Sequence, residues 1–215
     1  MSAIWAVVPV KETAGAKQRL AAVLPQATRS ALSLAMLEDA LRALASARGL
    51  AGILVVTPDT AAQNLALRYS AQVSHDHARE GHTAAIMGAA RRLAAEGAAM
   101  LTIPGDVPLA TAPEIEQIID THRSGHDFVI VPARDERGSN AILVSPADAV
   151  PLHFGADSFS PHLAAARGCG IEPAILHLPG IGLDIDTPED LAAFLAQPSR
   201  TRAQALLEAS GVRAA

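Results

Sequence analysis

The sequence predicts an α/β protein of one domain, a mostly parallel sheet covered by helices on both faces. Three observations carry that expectation. Short β-branched runs alternate along the chain with helical stretches of about 10 to 20 residues, the pattern of a sheet wound with crossover helices. Half of the residues are apolar but only 3% are aromatic, which suits helices layered on a sheet better than an aromatic-rich sandwich. The length of 215 residues supports a sizeable core but is short for two full domains.

Ile4 to Val10 reads as a buried first strand, followed by a charged loop. From Gln26 to Arg48, Leu34, Leu37, Leu41 and Leu44 recur every three or four residues, and Gly49 stands where a helix ends, so this stretch is a helix. Ile53 to Thr57 is the second strand, closed by Pro58-Asp59, and a short helix runs to Tyr69. Gly81 to Ala95 is helical and closes at Gly97. Ala98 to Ile103 is a third strand that stops at Pro104-Gly105-Asp106. Thr111-Ala112-Pro113-Glu114 has the capping-box pattern, and Ile115, Ile118 and Ile119 give the helix after it an apolar face. Phe128 to Val131 and Ala141 to Val144 are strands joined by the polar segment Arg134 to Asn140, which has the character of a binding loop. Ser158 caps a helix to about Arg167, Ala174 to Leu178 is a short strand, and Thr187-Pro188-Glu189-Asp190 opens a helix through Leu195. The domain is expected to span residues 1–198. An Ala-rich tail, 199–215, is either a docked helix or frayed.

Composition narrows the chemistry. The net charge is −5 and the longest basic run is Arg91-Arg92, so a surface for nucleic acid is not expected. A single cysteine, Cys169, removes internal disulfides and zinc thiolate sites and fits a reducing cytoplasm. The apolar N-terminal run is too short to span a membrane and lacks a signal peptide's flanks, so no membrane partner is expected. His75-Asp76-His77 has metal-like spacing without a third ligand nearby and reads as a solvated turn. No G-x-S-x-G elbow, dinucleotide-binding glycine fingerprint or P-loop is present.

What remains is anion and cation chemistry at one sheet edge. Lys11, Gly15, Lys17 and Arg19 follow the first strand. The glycine admits phosphate close to the backbone, and the cations supply charge for a triphosphate. Alone, the loop reads equally well as ordinary solvated charge. Its company argues otherwise: the strand ending at Asp106 and the segment Leu183-Asp184-Ile185-Asp186 bring three carboxylates toward the same edge. In an extended chain residues i and i+2 point the same way, so Asp184 and Asp186 are placed to ligate one hard cation, Mg²⁺, while Ile185 faces the core.

Six segments in order then carry a resemblance. Val8-Pro9-Val10-Lys11, Lys17-Gln18-Arg19-Leu20, Pro104 to Leu109, Gly138-Ser139-Asn140-Ala141, Phe154 to Phe159 and Leu183 to Leu191 together resemble the guanylyltransferases of coenzyme F-420 (deazaflavin) biosynthesis. The resemblance implies a single-domain, Rossmann-like nucleotidyltransferase (GT-A-like) fold. It implies transfer of GMP from GTP to a phosphorylated three-carbon acid with release of pyrophosphate. The acid is 3-phosphoglycerate or phosphoenolpyruvate ahead of 2-phospholactate. It implies Mg²⁺ held by Asp106, Asp184 and Asp186, with Lys17, Arg19 and Asp106 as the catalytic set. Lys11, Ser139, Asn140, Gly155 and Ser158 would bind the acceptor, and Val10, Lys11, Lys17, Pro58, Gly81, Pro104 and Gly105 the nucleotide. Two rivals share the fold: a molybdenum-cofactor or sugar-phosphate nucleotidyltransferase, whose first loop is usually richer in glycine, and a nucleotide-binding domain without chemistry, which would not need all three aspartates.

Overall fold

We describe the chain in a computed structural model covering residues 2–155 and 157–212; Met1, Ala156 of the Phe154–Phe159 motif and residues 213–215 of the tail lie outside the described residues. Among these, the strands are β1 (Ile4–Pro9), β2 (Gly52–Val56), β3 (Gln72–Ser74), β4 (Ala99–Thr102), β5 (Phe128–Pro132), β6 (Ser139–Val144) and β7 (Ala174–Ile175). The helices are α1 (Gln26–Ser46), α2 (Thr60–Arg68), α3 (His82–Ala95), α4 (Ala112–Arg123), α5 (Phe159–Gly168), α6 (Pro188–Leu195) and α7 (Arg202–Ala209), with one 3-10 turn at Gln18–Leu20.

The strands form one sheet in the order β3-β2-β1-β4-β6-β5-β7. β1 pairs in parallel with β2 and β4, β2 with β3, and β5 with β7, while β6 runs antiparallel to both its neighbours. The expected mostly parallel sheet is therefore present, with one reversed strand. Both faces are covered, which is why the strands read as unbroken apolar runs instead of alternating ones. Alternate residues of β1 show the division. Ala6 and Val8 pack with Leu37 and Leu41 of α1, Leu65 of α2 and Ile118 of α4, while Val7 packs with Ile86 and Leu93 of α3 on the other face.

Two elements depart from the sequence expectation. β3 was not foreseen, because Gln72-Val73-Ser74 has no apolar run; it exists by pairing its backbone along the outer edge of β2, Leu54 opposite Gln72. β7 is shorter than the expected Ala174 to Leu178: one further bond, Leu176 N–H to the Ile130 carbonyl, follows it, and Leu178 then turns into the core. The capping boxes of α4 and α6 are both formed.

The segment after Pro198 forms α7, capped by Thr201. The backbone N–H groups of Arg202 and Ala203 donate to the buried carboxylate of Asp39 in α1, at 2.8 and 2.9 Å. A carboxylate there also meets the positive end of the helix dipole. Ala203 and Leu207 are buried with Leu32, Met36 and Phe194, in a third apolar cluster that also holds Leu183 and Ile185.

Candidate active site

The order of the strands determines where the site lies. From β1 the chain winds outward through β2 and β3, then returns to lay β4 on the other side of β1, so the ends of β1 and β4 diverge and leave a crevice between their loops. Because β6 is reversed, it begins where β4 ends: Ile142 pairs with Thr102, and Ser139 and Asn140 run past the end of β4 into the same crevice. A cavity of about 830 Å³ fills it.

The loop after β1 forms the first wall. The Thr13 N–H and hydroxyl both donate to Asp59 Oδ2, at 2.8 and 2.7 Å, while Asp59 Oδ1 caps α2 by accepting from Ala62 N–H. Burial pushes the Asp59 carboxyl up, but these donors outweigh it and hold its pKa below the usual range. Arg29 of α1, itself buried, donates to the carbonyls of Ala16 and Leu24, fastening the loop's far end. Between these anchors Lys17 adopts the left-handed conformation, with φ at 54°, a strained choice for a residue with a side chain.

Lys17 then reaches the carboxylates. Its Nζ donates to Asp106 Oδ2 at 2.5 Å and to Asp186 Oδ1 at 2.6 Å. Burial would lower the lysine pKa, yet the two carboxylates more than offset that and raise it, so the ammonium stays charged. The resemblance implied that Lys17 faces a triphosphate; its head group is held by two of the expected metal ligands. Asp106 Oδ1 is buried and finds no hydrogen-bond partner among the described residues. Ile185 is fully buried and its N–H donates to the Asp106 carbonyl, so Asp184 and Asp186 flank it as expected. Burial, and then the charge of Asp106, push the Asp184 carboxyl up to about 6, against the opposing bond from Asn140. Burial would also raise Asp186, but Lys17 and the more distant Arg19 and Lys11 pull it below its ordinary value. Among the described residues no three His, Cys, Asp or Glu side chains close into a ready-made metal cage, because the ammonium of Lys17 stands between Asp106 and Asp186.

The opposite wall bears hydroxyls next to a charged loop, since Arg134, Asp135 and Arg137 line the cavity just ahead of Ser139. Ser139 Oγ lies 2.9 Å from His162 Nδ1 and 3.4 Å from the Ser158 hydroxyl. Ser158 was expected to cap α5 through its side chain; it stands at the cap position in helical conformation but makes no such bond, its hydroxyl turning to Ser139. Asn140 was expected to touch the acceptor. Its amide donates instead to Asp184 Oδ1 at 3.0 Å and to the Ile181 carbonyl at 2.9 Å, so it orients a carboxylate. Phe154 lies edge-on between the rings of His82 and His162, 4.9 Å from each. Burial lowers both histidines to about 4, leaving them neutral at physiological pH.

Sequence reasoning and structure can now be compared residue by residue. Val10, Lys11, Lys17 and Arg19 line the cavity, as do Pro104, Gly105 and Asp106, Ser139 and Asn140, Gly155 and Ser158, and Asp184 and Asp186. Pro58 and Gly81 do not: Pro58 leads into the Asp59 cap, and Gly81 is an exposed cap of α3 with φ at 105°. Sequence reasoning missed His82 and Phe154 in the lining and His162 behind it. It also missed the grip of Asp59 on Thr13: an aspartate before a helix signals a cap, but nothing local signals a partner 46 positions away.

The model of the family "Guanylyl transferase CofC like" matches residues 4–214. The phosphoenolpyruvate guanylyltransferase of Rubrobacter xylanophilus is 40% identical over 190 residues, covering 88% of this chain and 92% of that one. The 3-phospho-D-glycerate guanylyltransferase of Phenylobacterium zucineum is 33% identical over 206 residues, covering 94% of each. Among solved structures, a protein of Desulfovibrio desulfuricans G20 described as a nucleotide-diphospho-sugar transferase shares the fold with a TM-score of 0.78, at 20% identity over 98% of this chain and 96% of that one. The 4-diphosphocytidyl-2C-methyl-D-erythritol synthase of Anaerococcus prevotii does so at 0.62, with 13% identity over 96% of each. With a family match running almost from end to end and 33% and 40% identity to named guanylyltransferases over most of its length, the chain belongs to the family of CofC-like guanylyl transferases and is a nucleotidyltransferase.

Proposed function

We propose that this enzyme transfers GMP from GTP to a small phosphorylated three-carbon acid, 3-phosphoglycerate or phosphoenolpyruvate, releasing pyrophosphate, as a step toward the deazaflavin coenzyme F-420. One observation supports it most: a single cavity has a cationic loop and three carboxylates on one side and, on the other, a pair of serine hydroxyls beside Arg134 and Arg137. That division suits two anions that must meet. The relatives named for these two acids support the choice of acceptor.

Lys11, Lys17 and Arg19 would take the triphosphate, and Ser139, Gly155 and Ser158 the acceptor's phosphate. An oxygen of that phosphate forms the new bond to the α-phosphorus of GTP while the bond from that phosphorus to the β-phosphate oxygen breaks, and pyrophosphate leaves with the electron pair. A phosphate monoester is already anionic at neutral pH, so no protein nucleophile or base is required. The protein's work is to align the two anions and offset their repulsion.

The residues fit Mg²⁺ by their chemistry. Asp106 offers a buried oxygen without a partner among the described residues, and the Asp184 carboxyl, raised first by burial and then by the charge of Asp106, lies close to it. Asp106, Asp184 and Asp186 would hold the ion, with Lys17 released toward phosphate. When bound, the ion neutralises charge on the triphosphate as pyrophosphate departs. The proposal places the reaction in the cytoplasm, where a free, exposed Cys169 is at home.

Pyrophosphate release tests this, measured with purified protein, Mg²⁺ and each nucleoside triphosphate against the three acids separately. GTP-dependent release with 3-phosphoglycerate or phosphoenolpyruvate is expected. Release only with molybdopterin or a sugar phosphate, or tight GTP binding without turnover, would overturn the reading.

A further inference from the structure

Among the described residues His162 is one of the most buried polar ones, at 1% exposure, and the transfer reaction does not call on it. Its surroundings determine where its proton sits. The backbone N–H of His153 donates to Nε2 at 3.0 Å. A backbone N–H can only donate, so Nε2 must be the bare, accepting nitrogen. The neutral ring then carries its hydrogen on Nδ1, which faces Ser139 Oγ at 2.9 Å and donates to it. The edge-on contact with Phe154 keeps the ring from swinging out of this arrangement. Burial, with His153 nearby, lowers the His162 pKa to about 4, so the ring does not charge near neutral pH.

The consequence falls on Ser139. Its oxygen accepts from His162 behind it and, more weakly, from the hydroxyl of Ser158 beside it in the lining, so both lone pairs are engaged. The remaining option for its own hydrogen is to point away from them, into the cavity that Ser139 lines. We propose that His162 is a positioning residue: through a bond network anchored on the His153 backbone, it turns the Ser139 hydroxyl into an obligate donor aimed at the anionic group of the acceptor. A free serine hydroxyl rotates between donating and accepting. One locked as a donor favours an anion and disfavours a ligand whose donor points at the same place. The acceptor role of Ser139 rests on the function proposed above; the direction of its proton does not.

Two measurements separate those parts. In wild-type protein labelled with 15N-histidine, long-range 1H–15N correlation reads the tautomer directly. A protonated Nδ1 and bare Nε2 for His162 are expected. An Nε2–H tautomer or a charged ring overturns the proposal whatever the enzyme does. In steady-state kinetics with each substrate varied, Ser139→Ala and His162→Phe should each raise the acceptor KM about tenfold or more, the range for losing a hydrogen bond to an anion, and leave the GTP KM within about twofold. His162→Asn, which can place an amide N–H near the lost Nδ1–H, should recover part of the loss. The double variant should be no worse than Ser139→Ala alone, because His162 acts through that hydroxyl. Additive losses, or equal changes in both KM values, overturn it. Failure of wild-type turnover with all three acids would sink the acceptor role while leaving the tautomer result to stand or fall alone.

Discussion

Replacing Lys17 by Met tests how the site is held before substrate arrives. The ammonium sits 2.5 and 2.6 Å from oxygens of Asp106 and Asp186, with a lysine side chain only 9% exposed. Methionine keeps an unbranched chain only one atom shorter and removes the charge. The two carboxylate oxygens lie no more than about 5 Å apart, so with the cation gone their repulsion is about 3 kcal/mol at an effective dielectric of about 20. Breaking a buried pair by removing one partner costs about 3–5 kcal/mol, but the Asp186 side chain is 47% exposed and water screens its share. We therefore expect a loss of about 3 kcal/mol at pH 7.5, read by urea denaturation with the m-value held in common. The loss should shrink as pH falls toward the carboxylate range, and Mg²⁺ in the millimolar range should restore more stability to this variant than to wild type. Turnover should fall about a hundredfold to a thousandfold through lost stabilisation of the triphosphate. Wild-type stability at pH 7.5, within about 0.5 kcal/mol, would refute the reasoning.

Asp106→Asn should lower turnover by at least about a hundredfold in the pyrophosphate assay, and near-normal activity would remove Asp106 from the chemistry. Gly180→Ala is expected to be destabilising by about 2 kcal/mol or more in thermal or urea unfolding, because a Cβ there would stand 2.2 Å from the Leu109 carbonyl oxygen, which is backbone and cannot swing aside. The same change should weaken activity, since Gly180 N–H donates to Glu114 just ahead of the Asp184 segment. For pH, the sign follows from His162, whose folded pKa of about 4 lies below the ordinary 6.5. Stability from its neutral form is complete above about 6.5 and drains as pH falls toward 4, because the unfolded chain takes up a proton the folded one refuses. His82 acts alike, and Asp184, raised to about 6, acts oppositely. The His162→Asn variant isolates one group: its loss of stability between pH 6.5 and 4.5 should be shallower than wild type by up to about 1.4 kcal/mol per pH unit, and parallel curves would contradict the buried neutral histidine.

Much of the fold was legible because its signals are local. β1 and β4 are apolar runs of four to six residues that stop at proline and glycine, and α4 announces itself with Thr111 and Glu114 bonded three residues apart. The site was partly legible for the same reason: Asp184 and Asp186 flank a buried Ile185 by simple alternation. Less legible was the role of a residue whose partner is remote. The resemblance placed Asn140 among the acceptor's ligands, and nothing near it in the sequence signals that its amide donates to Asp184, 44 positions on. Pro58 and Gly81 lie in plausible loops, but neither residue lines the cavity.

By itself the sequence determined the alternation of strand and helix, the capped helix starts, the apolar faces, and the supply of cations and carboxylates at one sheet edge. Those follow from periodicity and from bonds closed within a few residues. Only the tertiary structure decided that β6 runs backward to bring Ser139 beside the carboxylates, that Lys17 joins Asp106 and Asp186 from 89 and 169 positions away, and that His162 faces Ser139. The physical reason is that hydrogen bonds and ion pairs act over a few ångströms, and which distant residues come that close is settled by how the sheet is wound.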